Sequence, residues 1–461
     1  MTTTFDAIIV GAGQAGPPLA GRLTEAGQSV AVIERKLVGG TCVNYGCIPT
    51  KTLVASAHTA HTARRGAEYG ISTGAVSVDM AAVKARKDKI SQDDRHGLES
   101  WLEGMDGCTL IRGHARFEGP HTIRVDDQVL EADRIFLNVG GRATAPAIPG
   151  LDDVDYLTNV GILDLDVLPD HLVIIGGSYI GLEFAQMYRR FGARVSVVER
   201  GPRVTAREDE DVSAAIQQIL EAEGIDVHLG ATGMRITKNT NGSGDFDLYP
   251  RDGAEPISGS HLLVATGRQP NTDDLGLDVA GIETDARGYV TVDDQLRTSV
   301  ENVWAMGDCN GRGAFTHTSY NDFEIVAANV LDDDPRRVSD RVPTYALYID
   351  PPLGRAGMTA AEVLASGRKA LVGKRPMTRV GRAVEKGETQ GFMKIVVDAE
   401  TKHILGASIL GVGGDEVVQD ILDMMTAGLP YTAISRTMHI HPTVSELVPT
   451  VLQELVPLSP N

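Results

Sequence analysis

The chain has 461 residues, 42% hydrophobic and 23% charged, enough apolar material for a sizeable core divided among about three domains. Its formal charge of −19 excludes nucleic acid and acidic membrane surfaces as partners, since both require a basic face. The opening Met1-Thr2-Thr3-Thr4-Phe5 has neither the basic nor the apolar region of a secretory leader, and no run reaches membrane-spanning length, so a cytoplasmic protein is expected.

The first predicted element is an apolar strand, Phe5 to Val10, running into Gly11-Ala12-Gly13-Gln14-Ala15-Gly16. A helix follows, then a strand from Ser29 to Ile33 closed by Glu34. In such a unit Gly11, Gly13 and Gly16 let backbone approach a pyrophosphate at the helix N-terminus, and the acid reaches ribose hydroxyls. Next comes Gly39-Gly40-Thr41-Cys42-Val43-Asn44-Tyr45-Gly46-Cys47-Ile48-Pro49-Thr50-Lys51, with two of the four cysteines in the chain. The stretch after Cys47 predicts a helix, and a thiol at a helix N-terminus is biased toward the nucleophilic thiolate. The pair therefore reads as a redox-active dithiol. A structural disulfide conflicts with a reducing compartment, and a zinc site would need a second ligand pair, so no metal site is expected. Cys108 and Cys309 are read as buried structural thiols. Met80 to Leu102 predicts a long, charged, amphipathic helix packed on the surface.

The nucleotide-binding pattern then repeats. His171 to Ile175 is a strand, Gly176-Gly177-Ser178-Tyr179-Ile180-Gly181 the turn, and Arg194 to Val198 the next strand, with Glu199 as its acid. Glu199 follows Gly176 at the same interval as Glu34 follows Gly11, so two dinucleotide sites are expected. Ser178 replaces the middle glycine, a change that a small side chain tolerates. Pro- and Gly-rich punctuation divides the chain into 1–150, 151–270, 271–344 and 345–461. Asn239-Thr240-Asn241-Gly242-Ser243-Gly244 predicts a hairpin turn. Beyond residue 345 the expectation is strands, then two helices, then an apolar helix from Val444 to about Val456 kinked at Pro449.

These motifs, with Val303-Trp304-Ala305-Met306-Gly307-Asp308 and His439-Ile440-His441-Pro442-Thr443-Val444-Ser445-Glu446, resemble those of the class I flavoprotein disulfide reductases. That family includes dihydrolipoamide dehydrogenase, glutathione reductase and mercuric reductase. The resemblance implies an α/β fold of two doubly wound Rossmann-like domains plus a carboxy-terminal α+β dimerisation domain. It implies FAD on the first unit: residues 1–150 and 271–344 would form the FAD-binding and central parts, with Glu34 on the adenosine ribose. Ala115 would lie at the adenine, and Gly307 and Asp308 at the ribityl chain. A helix from Thr316 would point its positive end at the flavin. NADH or NADPH would occupy residues 151–270 through Gly176, Gly177, Gly181, Glu199 and Gly267, with Tyr179 over the flavin until nicotinamide displaces it. Lys51 and Glu183 match an ion pair beside flavin N5.

By the same resemblance Cys42 is the interchange thiol and Cys47 the thiol that exchanges electrons with the flavin. His441 is the acid–base and Glu446 orients it. His58, His61 and His439 are read as ordinary solvated or core side chains. A homodimer is implied, because the family's counterparts of His441 and Glu446 reach the dithiol of the other subunit. Leu447, Val448, Val451, Leu452 and Leu455, at helical spacing, are the expected interface stripe.

The acceptor is expected to be a small-molecule disulfide or a metal ion. Tyr45 and the Pro49-Thr50-Lys51-Thr52-Leu53-Val54 run resemble the mercuric-reductase-like branch, which also includes copper-reducing flavoenzymes. The usual relay of Hg(II) through carboxy-terminal cysteines has no counterpart after Cys309. Glu199 favours NADH because a carboxylate repels a 2′-phosphate, although Arg200, Arg203 and Arg207 can accommodate one. Dihydrolipoamide dehydrogenase, a diaphorase or quinone reductase, and a non-catalytic flavin redox sensor are the alternatives.

Overall fold

The computed structural model of the chain describes residues 2–240, 242 and 244–459. Its first sheet runs Cys108–Arg112, Val30–Glu34, Thr2–Val10 and Gln128–Leu137, all parallel. Ile8, Ile9, Val30 and Val32 have no exposed surface, as continuous apolar strands need when helices cover both faces. The free edge of Gln128–Leu137 is shared. Its first half pairs antiparallel with Thr122–Val125, and its second half pairs parallel with Val303–Ala305 from much later in the chain. One hydrophobic core joins these strands to Phe323, Ile325 and Val326 of the helix Thr316–Leu331.

A second parallel sheet, ordered Asp226–His228, Arg194–Val198, His171–Ile175 and His261–Val264, repeats the design. An antiparallel sheet of Arg235–Lys238, Phe246–Tyr249 and Ile257–Gly259 adjoins it. The predicted hairpin turn falls between its first two strands, with Asn241 and Ser243 lying outside the described residues. The long charged helix is Met80–Glu103. Cys309 is fully buried, which pushes its thiol up to about 12. Cys108 lies on the sheet edge and is only half-buried.

The carboxy-terminal part is an antiparallel sheet ordered Thr344–Leu347, Leu353–Gly357, Ile404–Leu410, Phe392–Asp398, Ala370–Pro376 and Val456–Pro457, with the helix Gly414–Thr426 against it. Three expectations need correction here. The short helix Ala360–Ala365 lies between strands, not after them. The final apolar helix is broken into a 3₁₀ turn, Ser445–Leu447, and a four-residue helix, Val448–Val451. Pro449 sits in the first turn of that helix, where its missing N–H costs nothing, so it helps to start the helix instead of kinking it. Val448, Val451 and Leu452 are buried in the core of their own domain, so the stripe packs intramolecularly and is not an exposed interface.

Candidate active site

Both glycine turns are built by the same hydrogen bonds. Gly11 has φ +102° and Gly176 φ +117°, and a Cβ on either would lie 2.3 or 2.4 Å from the carbonyl oxygen of Asn138 or Ala265. Only glycine fits there. Glu34 Oε2 accepts from the Ala12 N–H at 3.0 Å, and Glu199 Oε2 from the matching Gly177 N–H at 2.7 Å. The second oxygens accept from Lys36 and Gly201 N–H groups at 2.7 and 2.6 Å. The second of the helices that follow, Tyr179–Phe191, has no side-chain cap among the described residues, so its first-turn N–H groups are available to a pyrophosphate. In the first, Gly16–Glu25, Pro17 and Pro18 carry no N–H and Gly16 donates to Asn138, which leaves the approach to the glycine turn itself. Glycine turns and strand-end acids together fit a dinucleotide at each unit. Gly113 donates its N–H to the Glu34 carbonyl at 3.0 Å, which sets the strand from Ala115 beside that acid.

Asn138 is a residue that sequence reasoning missed. Buried at the end of Gln128–Leu137, it accepts from Gly16 N–H at 3.1 Å and donates to the Met306 carbonyl at 3.2 Å. It thereby ties the first turn to Gly307 and Asp308. The Gly307 N–H in turn donates to the buried Asp322 at 2.8 Å, whose carboxyl burial pushes up. Burial likewise raises the Asp308 carboxyl, against the pull of the Arg268 guanidinium 3.4 Å away. Arg268, one residue beyond Gly267, also reaches the hydroxyl of Thr41 beside Cys42, at 3.5 Å.

Cys42 lies in the short helix Gly40–Tyr45, and Cys47 is the first residue of Cys47–Arg64. Both are free thiols. Cys47 Sγ is 3.0 Å from the hydroxyl of Thr316, the first residue of its own helix. The Cys47 thiol is lowered to about 6 by a hydrogen bond from Cys42, and further by Thr316 and the Lys51 charge, against its desolvation. Cys42 is pushed up by the same hydrogen bond and by burial. One turn along the dithiol helix, Lys51 Nζ pairs with the buried Glu183 at 2.6 Å and lies 4.5 Å from the centre of the Tyr348 ring. Glu183 also accepts from the Tyr348 N–H at 3.0 Å. Tyr179, one turn before Glu183, donates its hydroxyl to Glu208 at 3.0 Å.

The structure does not bring every candidate together within one chain. His441 Nδ1 meets Glu446 at 2.9 Å, but its side chain is 80% exposed, and among the described residues it makes no hydrogen bond to either cysteine. Its neighbours Met438 and Ile440 are 95% and 80% exposed. His58 is not an ordinary solvated histidine: it pairs with Asp350 at 2.8 Å, which raises its pKa. No helix among the described residues is long and apolar enough to cross a membrane.

Two dinucleotide cradles, a dithiol at a helix N-terminus and a half-buried Lys–Glu pair beside it define an NAD(P)H-dependent flavoprotein oxidoreductase. Residues 5–322 match the pyridine nucleotide-disulphide oxidoreductase family and residues 343–452 its dimerisation domain, and the chain belongs to this family of FAD- and pyridine-nucleotide-dependent enzymes. It is 36% identical to the probable pyridine nucleotide-disulfide oxidoreductase RclA of Escherichia coli over 96% of this chain and 97% of that protein. It is 33% identical to a mercuric reductase of Streptomyces lividans, over 98% and 96% of the two chains. A solved structure titled as the Cu(II) complex of the HOCl-induced flavoprotein disulfide reductase RclA superposes with a TM-score of 0.89 at 35% identity, covering 97% of this chain and 99% of that one.

Proposed function

We propose that this enzyme passes two electrons from NADH, by way of FAD and the Cys42–Cys47 pair, to a disulfide or a soft metal ion. The observation that carries the reading is the Cys47 sulfur at the start of its helix, 3.0 Å from the Thr316 hydroxyl, with its thiol lowered by Cys42, Thr316 and the Lys51 charge. Gly11, Gly13, Gly16, Glu34, Ala115, Gly307 and Asp308 would hold FAD; Gly176, Gly177, Tyr179, Gly181, Glu199 and Gly267 would hold the nicotinamide nucleotide. FAD, when bound, supplies the acceptor for the nicotinamide hydride and the donor of an electron pair to the cysteine disulfide.

Reduced Cys42 then attacks one sulfur of the substrate disulfide, and the other sulfur leaves. The Cys47 thiolate attacks Cys42, breaks the mixed disulfide and releases the second thiol. The first leaving thiolate takes the Cys42 proton and the second takes one from solvent, both by way of the partner subunit's His441. That reading accounts for a His–Glu pair which is hydrogen-bonded to itself yet exposed and, among the described residues, without a hydrogen bond to its own dithiol. A soft cation would bind the same two sulfurs, and the Cu(II) complex of the E. coli relative supports including metal ions. NADH is favoured because the Glu199 carboxylate stands at the ribose end of the second unit. Arg203, moreover, is turned inward, donating to the Ala206 and Glu208 carbonyls at 3.1 and 3.3 Å.

In an anaerobic titration with NADH, Cys42→Ser should keep the long-wavelength absorbance of a thiolate beside the flavin and reduce acceptor turnover to background. Cys47→Ser should lose the absorbance. Reversed behaviour would exchange the two roles, and turnover that survives Cys42→Ser would make the enzyme a diaphorase. Mixing Cys42→Ser with His441→Ala, each inactive alone, should restore one intact site of two in the heterodimer. Inactive heterodimers would place each site within a single chain.

A further inference from the structure

We propose that Glu208 is a positioning residue that latches Tyr179 across the nicotinamide entrance, so that nucleotide binding must break one buried tyrosine–carboxylate hydrogen bond. The inference rests on the reading of Tyr179 as the side chain that nicotinamide displaces. The Glu208 side chain has no exposed surface. Its Oε1 accepts two hydroxyls: Tyr179 of the second nucleotide unit at 3.0 Å, and Tyr345 of the carboxy-terminal sheet at 2.7 Å. Its Oε2 makes no hydrogen bond among the described residues and lies 3.9 Å from Nε of the buried Arg355. The next residue, Asp209, accepts from the Ala360 and Ala361 N–H groups and pairs with Lys394 at 2.8 Å, which fixes the loop to the carboxy-terminal domain.

Tyr179 is therefore the movable member of an otherwise anchored cluster. Its ring packs 5.4 Å from Tyr345 and 6.4 Å from Phe315, the residue before the Thr316 that touches Cys47. When Tyr179 leaves, Glu208 keeps the Tyr345 hydroxyl and the Arg355 charge. Opening thus costs one hydrogen bond and does not strand a buried carboxylate, which would cost far more. A carboxylate suits a latch because bonds to an ionised acceptor are about twice as strong as neutral ones.

The test measures apparent KM for NADH and stopped-flow flavin reduction in FAD-loaded Glu208→Gln, Tyr179→Phe, Tyr179→Ala and the Glu208→Gln/Tyr179→Phe double variant. A weakened latch raises the open fraction, so KM should fall on the order of five-fold in Glu208→Gln and in Tyr179→Phe, with kcat changing less. The double variant should fall no further than Tyr179→Phe alone, because both changes act on the same bond, which Glu208→Gln weakens and Tyr179→Phe removes. Additive effects, or an effect of Glu208→Gln alone, would make Glu208 an interdomain brace and overturn the latch. If Tyr179→Ala shifts KM while Tyr179→Phe and Glu208→Gln do not, the gate stands and the latch is wrong. A silent Tyr179→Ala would instead reject the gate and the latch with it. Should Glu208→Gln fail to fold, Tyr179→Phe against Tyr345→Phe decides: the latch requires that only the first lower KM.

Discussion

The two nucleotide units share one backbone scaffold and differ at the matched position behind the first glycine of each turn, Asn138 in one and Ala265 in the other. The Asn138 N–H donates to the Val10 carbonyl and the Ala265 N–H to the Ile175 carbonyl, each at 2.8 Å, and each residue's own carbonyl crowds the first glycine of its turn. In the first unit the side chain there bolts Gly16 to Met306. In the second it is a methyl group, and the polar anchoring falls instead to Tyr179 and Glu208 on the entrance side. One unit is fixed from behind by buried amide bonds; the other is closed from the front by a side chain able to leave. This is the division expected of a cofactor that stays and a nucleotide that exchanges each turnover.

The largest effect should come from removing the bolt. Asn138→Ala deletes two buried hydrogen bonds and leaves the Gly16 N–H unpaired, while the Met306 carbonyl keeps the Cys309 thiol at 3.3 Å, a loss of about 2 kcal/mol. If that loss falls on the bound form, FAD affinity drops on the order of thirty-fold. Gel filtration followed by the flavin-to-protein absorbance ratio should show substoichiometric FAD and a lower Tm. Full flavin retention would show that the two units do not differ in this way.

A second measurement addresses the dithiol between the units. With its pKa lowered to about 6, the Cys47 thiolate is present above that pH and lost below it. The long-wavelength absorbance of the two-electron-reduced enzyme should therefore hold at neutral pH, halve near pH 6 and fall about ten-fold per unit below. The groups that lower this value, Cys42, Thr316 and Lys51, all belong to the first unit or to the helix beside it, and Glu183, which opposes them, comes last among the contributions. NAD⁺ should therefore move the midpoint little. A midpoint near the ordinary thiol range would remove the electrostatic case for Cys47 as the inner sulfur.

Local pattern made much of this visible in the sequence. The strands His171–Ile175 and Arg194–Val198, the paired acids and the cysteine opening a helix all follow from residues close together in the chain. Asn138, Arg268 and Glu208 were not legible, because each gains its meaning from partners more than a hundred residues away: Gly16, Thr41 and Tyr345. The terminal apolar stripe shows the same limit from the other side. Its spacing read Val448, Val451 and Leu452 as part of an apolar stripe at the subunit interface. Spacing does not say what a stripe packs against, and these three are buried in their own domain. The acid–base role proposed for His441 is hidden for a further reason, since among the described residues the His441–Glu446 pair makes no hydrogen bond to its own chain's cysteines.

The smallest effect should belong to the second unit, where the anchoring is at the front. Glu199→Ala removes the carboxylate at the ribose end and should raise KM for NADH several-fold, the worth of one hydrogen bond of about 1 kcal/mol. KM for NADPH should rise less, because the same change relieves repulsion of the 2′-phosphate. Part of any common increase reflects the turn itself, since Glu199 also accepts from Gly177 and Gly201. The ratio of the two constants is therefore the informative quantity, as scaffold damage divides out of it. A ratio unchanged from the parent enzyme would move nucleotide discrimination to Arg200 and Arg207, the two nearby guanidiniums that are exposed. It would also leave Glu199 with the structural duty that Glu34 performs in the first unit.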